Sequence, residues 1–349
     1  DAFEANADAM MRRCAREGIA LRPHAKTHKS STIARRQMDL GAVGICCATI
    51  EEAAAMAAAG VTGILVTSPI VSLGKMAAII AIAERVPDIS VVADNADNVV
   101  AWNVLAQALP GRLSVLVDLD VGQHRTGVTS PEEAVRLART IAASDYLLFA
   151  GVQAYAGHIQ HIADYPARLE QAKATGAAIR RCAQALTESG LPPRIVSGGG
   201  TGTHAIEPPL GALNELQAGS YVFMDVEYAA IAFEGAPALP FRSSLFVQST
   251  VISANVPGFV QTDAGTKAFA TNGPPPEITF GAPAGSTYSY LGDEHGRIAL
   301  PAGSKPPRLG DRIECLTPHC DPTVNLYDHY VCVRGETVVG TWPIDARRS

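Results

Sequence analysis

Over its first 235 residues the chain alternates between two textures, and this alternation restricts its fold more than any other feature. One texture is short, apolar and often β-branched: "GIALRPHA", "VGICCAT", "VTGILVTS", "ISVVADN", "LSVLVDLD", "LLFAGVQAY", "PRIVSGGG" and "NELQAGSYVF". The other is longer and rich in Ala, Leu, Glu and Arg at helical spacing. In "SPEEAVRLARTIAAS", Ser130 is placed to cap a helix, and Glu132 and Glu133 suit its positive end. Runs that are apolar along most of their length are strands covered on both faces, as in a parallel sheet clothed in helices. Eight such units predict a (β/α)8 barrel rather than an open doubly wound sheet. The expected fold is α/β, with the barrel over residues 1–235.

Near residue 235 the texture changes. "EGAPALPF" reads as a linker, and β-rich runs such as "SSLFVQSTVISA", "DRIECLTPH" and "YVCVRGETVVGTW" follow, separated by Gly and Pro. A smaller, mainly β domain is therefore expected over residues 236–349. A hydrophobic content of 47% supplies apolar side chains for both cores. No apolar run reaches the roughly 20 residues of a membrane helix, so no membrane span is expected. A net charge of -6 gives no general reason to expect nucleic acid binding. The 7 cysteines are odd in number and lack CxxC spacing, which fits reduced thiols. With no secretory signal visible, a cytoplasmic location is expected.

In a parallel barrel, chemistry gathers at the C-terminal ends of the strands. Lys26 ends the first strand, within the basic stretch "LRPHAKTHKS". If residues 22–28 are extended, Arg22, His24, Lys26 and His28 share one face. Crowded positive charge and partial burial would then lower the Lys26 pKa. Two glycine-rich turns, "SGGGTGT" and "AGSY", follow the seventh strand and belong to the eighth, where barrels often hold phosphate on backbone N–H groups. A phosphate site beside a strand-end lysine points to pyridoxal 5'-phosphate (PLP), which needs an amine, phosphate anchors and a partner for its ring nitrogen. The blander alternatives are a solvated basic loop and glycines that only make tight turns. In "PHCDPTVNLYD", His319 and Asp321 face the same way if the segment is extended. Imidazole plus carboxylate suits a divalent ion such as Mn2+, Mg2+ or Zn2+. Here the alternative is a strand-end histidine followed by a turn-forming Asp-Pro.

With these residues in view, the chain resembles the D-threonine aldolase and D-serine dehydratase family, whose barrel is like that of alanine racemase. The motifs "RPHAKTHKS", "GICCAT", "DVGQHRTGV", "GVQAYAGHIQH", "SGGGTGT", "ELQAGSYVFMD" and "PHCDPTVNLYD" carry the resemblance in order along nearly the whole chain. Family members have a further N-terminal segment ahead of "DAFEAN"-like sequence. The resemblance implies that Lys26 is the Schiff-base lysine, that Tyr155 lies near the cofactor ring nitrogen and that Arg125 lies near its ring hydroxyl. It implies that Thr201, Gly202, Gly219 and Ser220, with Tyr221, hold the phosphate, that His319 and Asp321 bind the metal, and that His161 is the acid–base residue near the substrate hydroxyl. It also implies a homodimer.

Two reactions begin from the same β-hydroxy-D-amino acid. An aldolase removes the hydroxyl proton and breaks Cα–Cβ, giving glycine and an aldehyde. A dehydratase removes the Cα proton and expels the hydroxyl, giving a keto acid and ammonia. A metal on the hydroxyl oxygen assists either. In the resemblance, His-x-Cys goes with the zinc-dependent dehydratases and His-x-Asp with aldolases that use harder ions. His319 and Asp321 therefore favour a D-threonine aldolase, with Mn2+ or Mg2+ preferred over Zn2+. A dehydratase of D-serine or D-threo-3-hydroxyaspartate is the alternative. A racemase would have no task for the metal pair, and the small barrel proteins that only carry PLP lack both that pair and the second domain.

Overall fold

A computed structural model describes residues 1–347. Helix α1 (Ala2–Glu17) leads into β1 (Ala20–Leu21). There follow α2 (Ser31–Asp39), β2 (Ile45–Cys47), α3 (Ile50–Ala58), β3 (Ile64–Val66), α4 (Leu73–Ala83) and β4 (Ser90–Ala93). Next come α5 (Ala96–Ala106), β5 (Leu113–Asp118), α6 (Pro131–Ala142), β6 (Leu147–Ala154), α7 (Tyr165–Glu188), β7 (Ile195–Gly198) and β8 (Glu215–Leu216). The eight strands form one sheet in the order β1-β8-β7-β6-β5-β4-β3-β2, with every pair parallel. The sheet curls until its edges meet. The Val43 N–H donates to Leu21 O at 2.9 Å, and His24 bridges Cys46. Each expected strand is present, and the expected cap of α6 forms, with Ser130 accepting from the Glu133 N–H at 3.2 Å.

The strands bury both faces, as their composition requires. Ile45, Cys47, Ile64, Val66, Val91, Ala93, Val115 and Val117 join the main core with helix residues such as Met56, Ile79 and Trp102. The residues between them, Cys46, Leu65, Val92 and Leu116, form a separate cluster with Ala150 inside the curl. Period-two alternation thus sorts an apolar lumen from an apolar outer face.

The expected βα regularity fails at the end of the barrel. Between β7 and β8 only a single 3-10 turn (Pro208–Leu210) forms, and β8 is followed by one α turn, α8 (Val226–Ala229). Helix α1, which precedes the first strand, packs against β1, the Pro208–Leu210 turn and a 3-10 turn at Ser220–Val222, clothing that side of the sheet.

Beyond the barrel, β9 (Phe246–Ser253), β10 (Phe259–Thr262), β11 (Glu277–Phe280), β12 (Thr287–Tyr290), β13 (Gly296–Ala299) and β14 (Arg312–Leu316) make an antiparallel sheet in the order β11-β14-β9-β10-β13-β12. Its core contains Val251, Val260, Phe269, Ile298 and Ile313. The chain then turns back. Helix α9 (Cys320–Val324) contacts the turn that carries Lys26, and the hairpin of β15 (His329–Arg334) and β16 (Thr337–Pro343) follows. Cys320, Val324, Ile344 and Ala346 belong to the barrel's core cluster, not to that of the antiparallel sheet. No helix among the described residues is long and apolar enough to cross a membrane.

Candidate active site

The basic stretch at the end of β1 is not one face. β1 ends at Leu21, and Ala25–Thr27 wind into a 3-10 turn capped by His24, whose Nδ1 accepts from the Lys26 N–H at 3.3 Å. The turn overturns the extended arrangement expected for residues 22–28 and sends each cation to its own carboxylate. Arg22 makes a bidentate pair with Glu215, its Nε and Nη2 donating at 2.9 and 2.7 Å. Lys29 Nζ donates to buried Glu52 at 2.5 Å. Lys26 Nζ donates to Asp321 Oδ2. The histidines carry no charge: burial, then Lys26, lowers the pKa of His24, and burial lowers that of His28 to about 4. The lowered lysine pKa expected from neighbouring charge is also overturned. Burial opposes the ammonium, but Asp321 outweighs it and holds Lys26 protonated above the ordinary lysine range.

Lys26 stands at the mouth of the barrel over a polar floor. Gln153 donates to Thr67 O at 2.8 Å and to Asp118 Oδ1 at 2.9 Å, and Gln217 donates to Ser197 Oγ at 2.9 Å. Ser197 in turn donates to Glu215 at 2.6 Å, joining the floor to the Arg22 pair. Lys26, Arg125, Tyr155, Thr201, Gly219 and Ser220 all line the cleft above this floor. The Arg125 guanidinium sits 5.5 Å from the Tyr155 ring centre. Burial raises the Tyr155 phenol pKa against the opposing charge of Lys26, so the hydroxyl stays protonated.

The glycine turns serve packing as well as any ligand. A Cβ on Gly219 would lie 2.6 Å from Thr27 Oγ1, and one on Gly202 would lie 1.9 Å from Gln160 O. The Gly202 N–H donates to Gln160 Oε1 at 3.1 Å, and the Tyr221 N–H donates to Thr201 Oγ1 at 3.0 Å. The Tyr221 side chain lies elsewhere, its hydroxyl accepting from Gln37 at 3.0 Å and its ring facing Phe241.

His319 and Asp321 sit at the start of α9 rather than along an extended strand, so the helix turn, not strand alternation, sets their relation. Asp225 fixes that start: its Oδ2 accepts from the Cys320 N–H at 2.9 Å and from the Cys320 thiol at 3.0 Å. Glu227 Oε2 lies 2.9 Å from His319 Nδ1 without completing a hydrogen bond, and 3.6 Å from His161 Nδ1. The His161 ring lies 4.4 Å from that of Tyr228, which also lines the cleft. Burial lowers the His161 pKa against the pull of Glu227, leaving the imidazole neutral.

Sequence reasoning missed Glu227, Asp225, Tyr228 and the floor glutamines. The acidic run "MDVEY", directly after "AGSYVF", was the signal for the first three. No group of three or more His, Cys, Asp or Glu among the described residues has the arrangement of a metal site. A two-donor site still fits: His319 Nδ1 and Asp321 Oδ1 are buried without hydrogen-bond partners, and water or substrate can fill the remaining positions around an oxygen-preferring ion. PLP fits as well, because Lys26 lines the same cleft as Arg125, Tyr155, Thr201, Gly219 and Ser220.

Residues 1–227 match the alanine racemase N-terminal domain family, and residues 244–333 match a serine dehydratase domain family. The chain is 41% identical to a D-threonine aldolase from Arthrobacter sp. over 345 residues, covering 99% of this chain and 90% of the relative. It is 34% identical to a 3-hydroxy-D-aspartate aldolase from Paracoccus denitrificans, again covering 99% and 90%. The crystal structure of D-threonine aldolase from Filomicrobium marinum superposes with a TM-score of 0.95 at 37% identity, covering 99% of this chain and 93% of that one.

Proposed function

The chain belongs to the alanine racemase N-terminal domain family, and on that premise we propose that it is a D-threonine aldolase dependent on PLP and a divalent metal. It would cleave D-threonine and related β-hydroxy-D-amino acids to glycine and an aldehyde. The observation that carries the reading is the contact between Lys26 and Asp321. It brings the amine suited to a cofactor aldehyde and a carboxylate suited to a divalent ion to one corner of one cleft. When bound, PLP supplies a sink for the electron pair of the breaking Cα–Cβ bond, and the ion supplies positive charge at the β-oxygen.

The chain's own groups then have these roles. Lys26 would tether the cofactor, with Arg125 and Tyr155 at its ring and Thr201, Gly219 and Ser220 at its phosphate; Gly202 and Tyr221, whose N–H groups already donate to Gln160 and Thr201, would support that turn from behind. His319 and Asp321 would hold the ion, preferably Mn2+ or Mg2+. His161, neutral and beside Tyr228 of the cleft, would take the proton from the β-hydroxyl. As Cα–Cβ breaks, that oxygen becomes the aldehyde carbonyl, and a proton returned to Cα completes glycine. The products together contain every atom of the substrate.

Cys320 supports an aldolase over the dehydratase alternative. Its thiol is turned to Asp225, which leaves nitrogen and oxygen as the donors and favours a harder ion than zinc. The test is a product assay with D-threonine, PLP and Mn2+. Acetaldehyde and glycine are expected, with activity lost on chelation and restored by Mn2+. Release of 2-oxobutyrate and ammonia instead would establish the dehydratase. We further propose a cytoplasmic homodimer organised as residues 1–235 and 236–349, its mass measurable by light scattering.

A further inference from the structure

We propose that Gln160 is a positioning residue for the cofactor phosphate, its amide threading the glycine-rich turn from behind and fixing the shape in which that turn meets the cleft. The inference rests on the PLP reading above. Gly200 and Thr201 line the cleft. Glycines in such a turn ordinarily give a ligand room to approach, but here it is Gln160 that occupies the room. A Cβ on Gly200 would lie 2.5 Å from Gln160 Oε1, and one on Gly202 would lie 1.9 Å from Gln160 O. The side chain and backbone of one residue thus account for two of the glycines in "SGGGTGT".

Gln160 is fully buried, so it acts through the turn and not on a ligand. Its Oε1 accepts from the Gly202 N–H at 3.1 Å, and its Nε2 donates to Ala156 O at 3.2 Å and to Thr203 Oγ1 at 3.0 Å. The same Thr203 hydroxyl accepts from the Gly200 N–H at 3.3 Å and donates to Glu207 Oε2. The two glycine N–H groups are thereby turned away from the cleft, and Thr201 between them is turned toward it. Thr201 is held in its turn: its Oγ1 accepts from the Tyr221 N–H at 3.0 Å, and its carbonyl oxygen accepts from His204 Nδ1 at 2.7 Å. The first of these contacts joins the glycine-rich turn to Ser220 of the second turn. Gln160 also ends the 3-10 turn Gly157–Ile159, between Tyr155 and His161 in the chain. One amide therefore keys the phosphate turn to the loop that carries the ring contact and the proton acceptor.

Titration of the cofactor-free protein with PLP and with pyridoxal, which lacks only the phosphate, tests this through the visible absorbance of the bound ligand. The wild type is expected to bind both, PLP more tightly. Gln160→Met keeps the volume and leaves the Gly202 N–H without its acceptor. It is expected to weaken PLP binding about tenfold and pyridoxal binding less than about twofold. A loss confined to structure would weaken both ligands alike, and that result would overturn the positioning role. So would a variant that binds PLP as tightly as the wild type. A second set of variants makes the test independent of how well Gln160→Met folds. Gly200→Ala alone is expected to weaken PLP binding, because its Cβ meets the Gln160 amide. Gln160→Ala removes that obstacle, so the double variant is expected to bind PLP little worse than Gln160→Ala alone. Additive losses would mean that Gly200 does not make room for Gln160 and would overturn the inference. A wild type that gains no visible absorbance with PLP would overturn the cofactor reading itself, an outcome distinct from any difference between variants.

Discussion

Glu207 carries a carboxyl group that burial pushes up to about 7. Its Oε2 accepts from Thr203, and its Oε1 is buried without a partner. Oε2 also lies 2.8 Å from where a Cβ on Gly199 would stand, so the group underlies the glycine-rich turn. The fold favours the protonated form. Its contribution to stability is therefore complete below the unfolded value near 4.5 and is lost as pH rises through about 7. Glu207→Gln keeps the shape and removes the titration. Relative to the wild type it should gain up to about 3 kcal/mol in stability between pH 5 and pH 8. Urea midpoints of both proteins across that range check this, and parallel curves would contradict it.

At the scale of elements, Arg168 in the first turn of α7 acts as a clamp. Its guanidinium, fully buried, donates to the carbonyls of Ile162, Ala163 and Ala232. Those carbonyls belong to the loop after His161 and the segment after α8, where ordinary sheet and helix pairing is absent. Burial lowers the Arg168 pKa, the expected cost of placing a cation among neutral acceptors. Arg168→Met keeps much of the side-chain stem and leaves the Ile162 and Ala232 carbonyls unpaired, while Ala163 O keeps the Ala232 N–H. It should cost about 2–4 kcal/mol of stability. Turnover should also fall, because the loop after His161 loses its anchor. Calorimetry and steady-state kinetics measure the two effects, and a variant as stable as the wild type would remove the clamp from the account.

At the scale of the molecule, the last elements return to the first. Tyr330 donates to His28 O at 2.5 Å, the Ala346 N–H donates to Lys29 O at 2.9 Å, and Asp345 accepts from the Ser31 N–H at 2.8 Å. Trp342 packs edge-on against Phe3 at 5.4 Å and lies under Arg36. The barrel core is therefore completed by residues more than 300 positions from its first strand. Ile344→Ala should cost about 2–4 kcal/mol, and the loss should appear in hydrogen exchange of β2–β5 amides rather than in β9–β14. Exchange that rises only in the antiparallel sheet would mean that the C-terminal segment stabilises its sequence neighbours instead.

The barrel was legible because burial on both strand faces demands continuous apolar runs, and runs such as "GILVTS" and "LSVLVDLD" hold that information locally. The cleft residues Lys26, Arg125, Tyr155, Thr201, Gly219 and Ser220 were legible because parallel strands end their chemistry on one rim. The partners were not legible. Nothing near Arg22, Lys26 and Lys29 in the chain says that Glu215, Asp321 and Glu52 neutralise them, because each pair closes only when distant segments pack. Strand alternation likewise misplaced His319 relative to Asp321, since Asp225 starts a helix there. The sequence by itself determined the layers and the rim on which chemistry sits, because hydrophobic period is a local property. Only the tertiary structure decided which charges meet, because electrostatic pairing depends on distance in space.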